Sequence, residues 1–362
     1  MTASSDLPPP FAARGPGAFL AAQLKSPLGL ILNLLALGLV VAVLPPILQW
    51  AFLDATWSGD GMEDCPPAGG ACWAFVRAKM RLILFGTYPY DEHWRAAVAT
   101  IVLAGLVLLS LNPLFWSRKL ALGWVAGTLV YGILMWGGVL GLRPIDSNDW
   151  GGLPLTILLT VFGVFFGAAV SVPVALARVS KLPVFRRAAV VYIELIRGVP
   201  LISILFMASV AMPIILPQGF SPSGLVRVII GIVIFTAAYM AEVLRGGLQA
   251  IPKGQYEAAN ALGLNYLQTQ LKVVLPQAAE LVLPAYVSLV IITLKSTSLV
   301  VIVAMMDLLG AAKASLADPN WIGFYVEAYV FAGLIYVGMC GSISWYGRRI
   351  ETKLRRTRGY GA

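Results

Sequence analysis

"EAANALGLNYLQTQLKVVLP", Glu257–Pro276, is an amphipathic stretch inside a chain that is otherwise mostly apolar, and one glycine, Gly263, cuts it in two. "IPKGQ" (Ile251–Gln255) punctuates the end of the apolar run before it. Helical sequence then resumes with Glu257 in its first turn, where an anion complements the positive end of the helix dipole. Ala258, Ala259 and Ala261 leave a small-sided helix that can approach another surface closely. Gly263 suits the left-handed position just past a helix end. Asn265 offers an N-cap to a second helix, with Gln268 three residues on as its capping-box partner. The reading is helix, Gly turn, second helix ending at Pro276. This element, 251–278, is pinned between two apolar runs long enough to cross a membrane.

The chain around it is lipid-soluble by composition. Of its 362 residues 59% are hydrophobic and 12% charged, with mean hydropathy +0.83. A soluble domain carries about 25% charge, so the class is an all-α polytopic membrane protein. Apolar runs of about 20 residues fall near 28–50, 97–116, 120–142, 153–177, 190–216, 225–246, 282–304 and 326–347, giving about eight transmembrane helices. The first 26 residues carry Pro8-Pro9-Pro10, Arg14 and Lys25, and the run from Leu28 to Leu53 exceeds a signal h-region, so it reads as an uncleaved first span.

Net charge is +9. The cations lie in short clusters between apolar runs, which argues against nucleic acid and for the rule that Lys and Arg stay in cytoplasmic loops. Arg118-Lys119, the stretch Arg178–Arg187, Lys253, Lys272 and the tail Arg348–Arg358 fall on one side, which puts both termini and the 251–278 element in the cytoplasm. Arg77, Lys79 and Arg81 oppose this from the long outside loop, about 54–95, but "WAFVRAKMRLILF" reads as an amphipathic helix lying on the membrane. Trp50, Trp116, Trp150 and Trp345 fit the interfacial ends of spans. Cys65 and Cys72 share the outside loop; a disulfide suits an oxidising compartment, and free thiols are the alternative. Cys340 reads as core packing and His93, the one histidine, as a solvated loop residue. No metal-ligand spacing occurs.

The chain divides near residue 150. Residues 1–150 hold a cytoplasmic N-terminus and three spans poor in polar residues; 151–350 hold five spans with most of the unusual polar side chains; 351–362 are a basic tail. An ionisable group inside a span costs roughly 2.5–3.5 kcal/mol at a helix centre and is a functional candidate by default. Lys295 is the clearest, about ten residues into the seventh span and so near its middle, followed by the hydroxyls of Ser296, Thr297 and Ser298, which can loosen a helix. Asp307 closes the segment. Lys295 with Asp307 offers a cation and an anion to a zwitterion; the alternative is a structural ion pair, or Lys295 bonded to backbone carbonyls. Glu194 with Arg197, and Glu242 with Arg245, are spaced to pair locally on one helix face as gating or structural pairs. Gly198 and Pro200 break the fifth span from an interfacial turn, Gly246-Gly247 permits a bend, and Met212-Pro213 and Pro217 kink or end the fifth span.

Glu257-Ala258-Ala259, Gly263, Val273 and Leu275-Pro276 together resemble the EAA motif of ABC importer permeases, with Val273 where Ile is usual. "ELIRGVPL" (Glu194–Leu201), Tyr239–Ala259 and Leu294–Leu309 resemble the polar-amino-acid branch, with Val199 where Thr is common. The resemblance covers about 150–350, and the three extra spans are similar to those of the general L-amino-acid permease subgroup. It implies a five-helix type I ABC importer core preceded by three extra spans, in the bacterial inner membrane. Its coupling residues would be Glu257, Ala258, Ala259, Gly263, Leu275 and Pro276, docking on a dimer of ATP-binding subunits. A second related permease subunit and a periplasmic amino-acid-binding protein are the further partners implied. The chain has no G-x-x-x-x-G-K-[ST] phosphate loop, so ATP and Mg belong to the partner, and this chain is a transporter subunit and no enzyme. The substrate implied is an L-amino acid, with an opine or other polar solute as rival. An ion-coupled secondary transporter would need midplane carboxylates, of which the sequence has few, and leaves the docking element unexplained.

Overall fold

The computed structural model describes residues 27–65, 69–111, 115, 117–217, 219 and 222–357. Trp116, the N-terminal 26 residues and the end of the basic tail therefore lie outside the described residues. The described residues fall into two compact units that divide between Phe75 and Val76.

The first unit contains α1 (Pro27–Leu48), apolar all round, with none of its residues buried. That is the pattern of a helix whose solvent is lipid. A π turn, Gln49–Leu53, ends it. The chain then doubles back: the Ala71 amide donates to the Trp50 carbonyl at 2.7 Å, and the Trp73 indole donates to the Ala51 carbonyl at 2.7 Å. Cys65 and Cys72 are joined by a disulfide, their Cα atoms 5.8 Å apart.

The second unit is helical almost throughout. Its helices are α2 (Trp73–Phe85, from Val76 on), α3 (His93–Ser110), α4 (Arg118–Trp136), α5 (Gly152–Val179) and α6 (Pro183–Gly198). Then come α7 (Leu201–Phe206), α8 (Met212–Ile215), α9 (Gly224–Gln249), α10 (Lys253–Ala261), α11 (Tyr266–Thr269), α12 (Leu275–Ser296), α13 (Leu308–Ser315) and α14 (Tyr325–Thr357). Among the described residues of the whole chain, seven helical stretches are long and apolar enough to cross a membrane, and a bent pair makes an eighth. The eight spans read from the sequence are therefore present, with three boundaries moved. The second begins earlier, at Tyr90; the third ends at Trp136; the seventh belongs to one helical stretch, Tyr266–Val303. The run 190–216 is not one rod: Pro183–Gly198 and Leu201–Ile215 meet at 105°. Val199 is extended there and Pro200, which has no N–H to continue a helix, caps the next one.

α5 and α9 lie side by side at the centre. A Cβ on Gly163 would meet Ile232 Cγ2 at 2.5 Å, so the small residue is what lets the two spans close. Around them Leu103, Met135, Leu155, Leu159, Leu205, Val228 and Val300 form the main buried cluster. A second cluster, Ala175, Ile193, Leu244, Leu248, Val274, Ala278 and Val282, gathers where α5, α6, α9 and α12 meet the 251–278 element. A third joins Ile83 to Leu308, Ala312 and Ala332. Packing is continuous across residue 150: the Tyr131 hydroxyl donates to the Pro154 carbonyl at 3.2 Å.

Several expectations are corrected. Trp150 stands at the end of a span but faces protein: it is buried, its ring 4.6 Å from that of Trp136. His93 is not a solvated residue: it is buried at the start of α3, its Nε2 donates to the Tyr88 carbonyl at 2.8 Å, and its Nδ1 accepts from Arg81 Nε at 3.2 Å. The apolar side of α2 does not lie on lipid alone, because Ile83 is buried against α13 and α14 and Lys79 pairs with Asp318. Gly246-Gly247 makes no bend. α9 runs through them unbroken, and Gly247 instead admits α12, where a Cβ would meet Val282 at 2.4 Å.

Candidate functional site

The 251–278 element is built from local bonds. Pro252 is extended at the entrance to α10, and Gln255 N–H donates to its carbonyl at 3.0 Å. The helix therefore starts at Lys253, and Glu257 sits in its second turn, exposed, rather than in its first. At the other end Gly263 has φ of 73°. Gly263 N–H donates to Asn260 at 2.9 Å and Leu264 N–H to Ala259 at 3.1 Å, the paired bonds of a Schellman ending. Asn265 and Gln268 exchange capping-box bonds at 2.9 and 3.0 Å.

The second helix does not end at Pro276. α11 passes through a π turn, Gln270–Val274, into α12, and Leu275 N–H donates back to the Gln270 carbonyl. Pro276 sits in the first turn of α12, where the hydrogen-bond register is already changing, so its missing donor breaks nothing. Gln277, unremarked in the sequence, ties the ends of the element together: its Nε2 donates to Gln255 Oε1 at 3.0 Å and to the Val273 carbonyl at 2.9 Å.

One side of the element is anchored and the other bare. Ile251, Ala259, Val274 and Ala278 are buried, Leu275 half-buried, while Glu257, Ala258, Gly263 and Pro276 are exposed. Four large apolar side chains, Leu262, Tyr266, Leu267 and Leu271, are also exposed, Leu262 at 79%. At the end of a helical stretch longer than a bilayer crossing needs, such a surface calls for a partner.

Immediately above the anchored side lies a charged network. Glu242 accepts from Arg245 at 2.7 and 3.0 Å and faces Arg178 at 3.8 Å. Glu194 does not pair with Arg197 as its spacing suggests; it accepts from Arg178 at 2.9 Å. Arg197 instead sits over the Tyr239 ring at 5.6 Å. The packing of α5 on α6 brings Arg178 within reach, and sequence spacing along one helix carries no record of that.

Lys295 and Asp307 are not brought together. Asp307 is fully buried as the N-cap of α13: Oδ1 accepts from Gly310 N–H at 2.9 Å and Oδ2 from the Tyr336 hydroxyl at 2.8 Å, with Thr297 Oγ1 at 3.5 Å. Lys295 is exposed in the last turn of α12, and among the described residues no carboxylate pairs with it. Because α12 starts at Leu275, Lys295 lies about 30 Å along it at 1.5 Å per residue, past the middle of the stretch. The hydroxyls after it act on the helix itself. Thr297 donates to Leu294 and Ser298 to Lys295, each at 2.8 Å, and from Thr297 the α-helix tightens to 3₁₀. Ser296, half-buried, marks the change.

Arg227 was not singled out in the sequence. Pro213 has no N–H for the Ser209 carbonyl four residues back; Arg227 Nη1 donates there instead, at 2.9 Å, beside the π turn Met207–Ala211. A cation four residues into a span and a proline in the previous one were the available signal.

The family model described as "Binding-protein-dependent transport system inner membrane component" matches residues 169–356. The chain is 42% identical over 335 residues to the inner membrane amino-acid ABC transporter permease protein YhdY of Escherichia coli, covering 90% of each. It is 32% identical over 404 residues to the glutamate/glutamine/aspartate/asparagine transport system permease protein BztC of Rhodobacter capsulatus, covering 92% of each. A shorter relative, the probable amino-acid ABC transporter permease protein YckA of Bacillus subtilis, is 33% identical but aligns with 56% of this chain and 87% of its own. A solved structure of "an amino acid ABC transporter with histidines" covers 56% of this chain and 92% of its own, at 29% identity and TM-score 0.49. The chain belongs to the binding-protein-dependent transport system inner membrane components, as a permease subunit of the amino-acid ABC importer branch.

Proposed function

We propose that this permease carries L-amino acids inward across the bacterial inner membrane by alternating access, driven by ATP-binding subunits that seat on the 251–278 element. One observation carries the reading: an element anchored in the core through Ala259, Val274 and Ala278 presents Leu262, Tyr266, Leu267 and Leu271 bare beyond the spans. ATP and Mg belong to the partner, since the sequence holds no phosphate loop, and the chain itself catalyses no reaction. The clustered Arg and Lys residues favour both termini, and the element, on the cytoplasmic side. The family's description as binding-protein-dependent favours delivery by a periplasmic binding protein, and pairing with a second related permease belongs to the same reading.

Lys295 is the residue assigned to the substrate carboxylate. An exposed ammonium within a span, with no carboxylate of its own chain, has that role open to it. Ser296, Thr297 and Ser298 set its height through the α-to-3₁₀ change, and Asp307 holds the turn beyond. Glu194, Glu242, Arg245 and Arg178 brace α5, α6 and α9 where the element pushes, with Arg197 at their edge.

The test is purification of the tagged full-length chain in gentle detergent, with co-purifying chains identified by mass. An ATP-binding subunit and a second permease, with ATPase activity raised by amino acids, support the reading. A chain that stays alone when ATP-binding subunits are co-expressed overturns it.

A further inference from the structure

A cavity of about 290 Å³ lies at the ends of α5, α6 and α9, lined by Arg178, Arg186, Val190, Arg245 and Gln249. Neither Lys295 nor an exposed residue of the coupling element lines it. Ser180 closes the turn before α6 by accepting from Leu182 N–H at 3.1 Å, and Pro183 starts the helix. Arg186, Val190 and Glu194, four apart, then share one face of α6. Glu194 is taken by Arg178, and Glu242 by Arg245 and Arg178. Arg186, one turn beyond Val190, is exposed and pairs with no carboxylate among the described residues. The three guanidiniums of Arg178, Arg186 and Arg245 against two carboxylates leave one positive charge in excess, before Arg197 at the edge of the cluster is counted.

We propose that this cavity is a phosphate site, taking the phosphodiester of an anionic lipid headgroup or a free phosphate of the same chemistry. The guanidinium fork matches tetrahedral oxyanions, and Arg186 has its donors free to offer. The position also suits a lipid. Arg178 is one residue from the end of α5, and Gln249 is the last residue of α9, so the cavity opens at the edge of the spans. Beside it α6 exposes Val184, Phe185, Val191 and Leu195, an apolar face for acyl chains beneath a charged headgroup. Val190 gives the cavity wall the same mixed character.

The experiment takes the full-length chain with whatever co-purifies, wild type and Arg186→Gln. Each is exchanged into phosphatidylcholine with or without phosphatidylglycerol, and bound lipid is counted by native mass spectrometry; inorganic phosphate is titrated in parallel. Arg186 is exposed and unpaired, so the variant keeps the fold, which a thermal melt verifies. The proposal expects phosphatidylglycerol to be retained over phosphatidylcholine, with retention falling roughly fivefold in Arg186→Gln, the share of one arginine's attraction to an anionic headgroup. Displacement of the lipid by millimolar inorganic phosphate, or its binding in place of lipid, supports the site with free phosphate as its source. Equal retention of both lipids with no phosphate effect, or unchanged retention in the variant, overturns it. Loss of a co-purifying protein in Arg186→Gln with lipid retention unchanged overturns it as well, and makes the cluster a protein contact.

Discussion

Replacing Gly263 separates backbone geometry from side-chain contact, because nothing lies within 4 Å of where its Cβ would be. A substitution there meets no neighbour; it meets only the φ of 73°. For an L-residue other than Gly the left-handed region costs roughly 1–2 kcal/mol, and Asn is partly excused because its side chain tolerates it. Proline is excluded outright, since its ring fixes φ near −65°. It also removes the N–H that bonds Asn260 at 2.9 Å, worth about 1 kcal/mol more. The expected order of damage is Asn, then Ala, then Pro. For Ala, about 1–2 kcal/mol lowers the ratio of elements in docking geometry to elements out of it by roughly 5–30-fold. The assay is amino-acid-stimulated ATPase activity of the reconstituted transporter, with membrane insertion followed by surface labelling of the same preparation. Insertion stays at the wild-type level while stimulation falls in that order. Wild-type stimulation in Gly263→Pro refutes the assignment of this turn to coupling.

Lys295→Met keeps the length of the side chain and removes its charge; substrate-stimulated uptake falls by roughly 10–150-fold, the worth of a charge-assisted bond of about 1.5–3 kcal/mol, while co-purification of partners stays intact. Failure to assemble would assign Lys295 to structure. Asp307→Asn leaves the bonds from Gly310 and Tyr336 to a neutral and differently shaped acceptor; it destabilises the purified protein by about 1–3 kcal/mol, read as a lower melting temperature, and an unchanged melt refutes the buried-cap reading. Asp318 is held below the ordinary carboxylate range chiefly by its bond from Lys79, helped by Asn320 N–H. A carboxylate with a depressed folded value contributes stability that is present above the unfolded value, about 4, and lost as pH falls through the folded one. Hydrogen exchange in α2 therefore accelerates at that acid edge in the wild type, and the step is absent in Asp318→Asn; an identical step in both variants sinks this tie.

The eight spans are legible in the sequence because lipid imposes one simple demand, about 20 apolar residues in a row. Gly263 and the Asn265–Gln268 cap were legible too, since a helix end is satisfied within a few residues of itself. What stayed hidden was whatever depends on another helix. Glu194 finds Arg178 only after α6 folds against α5. Asp307 is claimed by Tyr336 on α14, 29 positions away, which takes it from the expected partnership with Lys295. His93 and Trp150 look like surface residues by their neighbours in the chain and become buried through long-range packing. Pro276 misled for a different reason: in an α-helix it ends the run, and only a change of hydrogen-bond register makes it harmless.

That register change has a consequence for timing along the molecule. The helical stretch Tyr266–Val303 counts 38 residues, on the order of 57 Å at 1.5 Å per residue. A tilt of about 5° at its docking end swings the far end by roughly 5 Å at that length. The π turn at Gln270–Val274 fixes the angular phase between the two ends. Deleting one residue there restores α-helical winding and leaves everything beyond it, Lys295 included, facing nearly as before, whereas a deletion in the regular part of α12 before Lys295 turns it by about 100°. The rod would still transmit its stroke, but aim its cation at lipid or at a neighbouring helix. One residue of slack, taken up in a single wide turn, keeps force and substrate on the same side of the same helix.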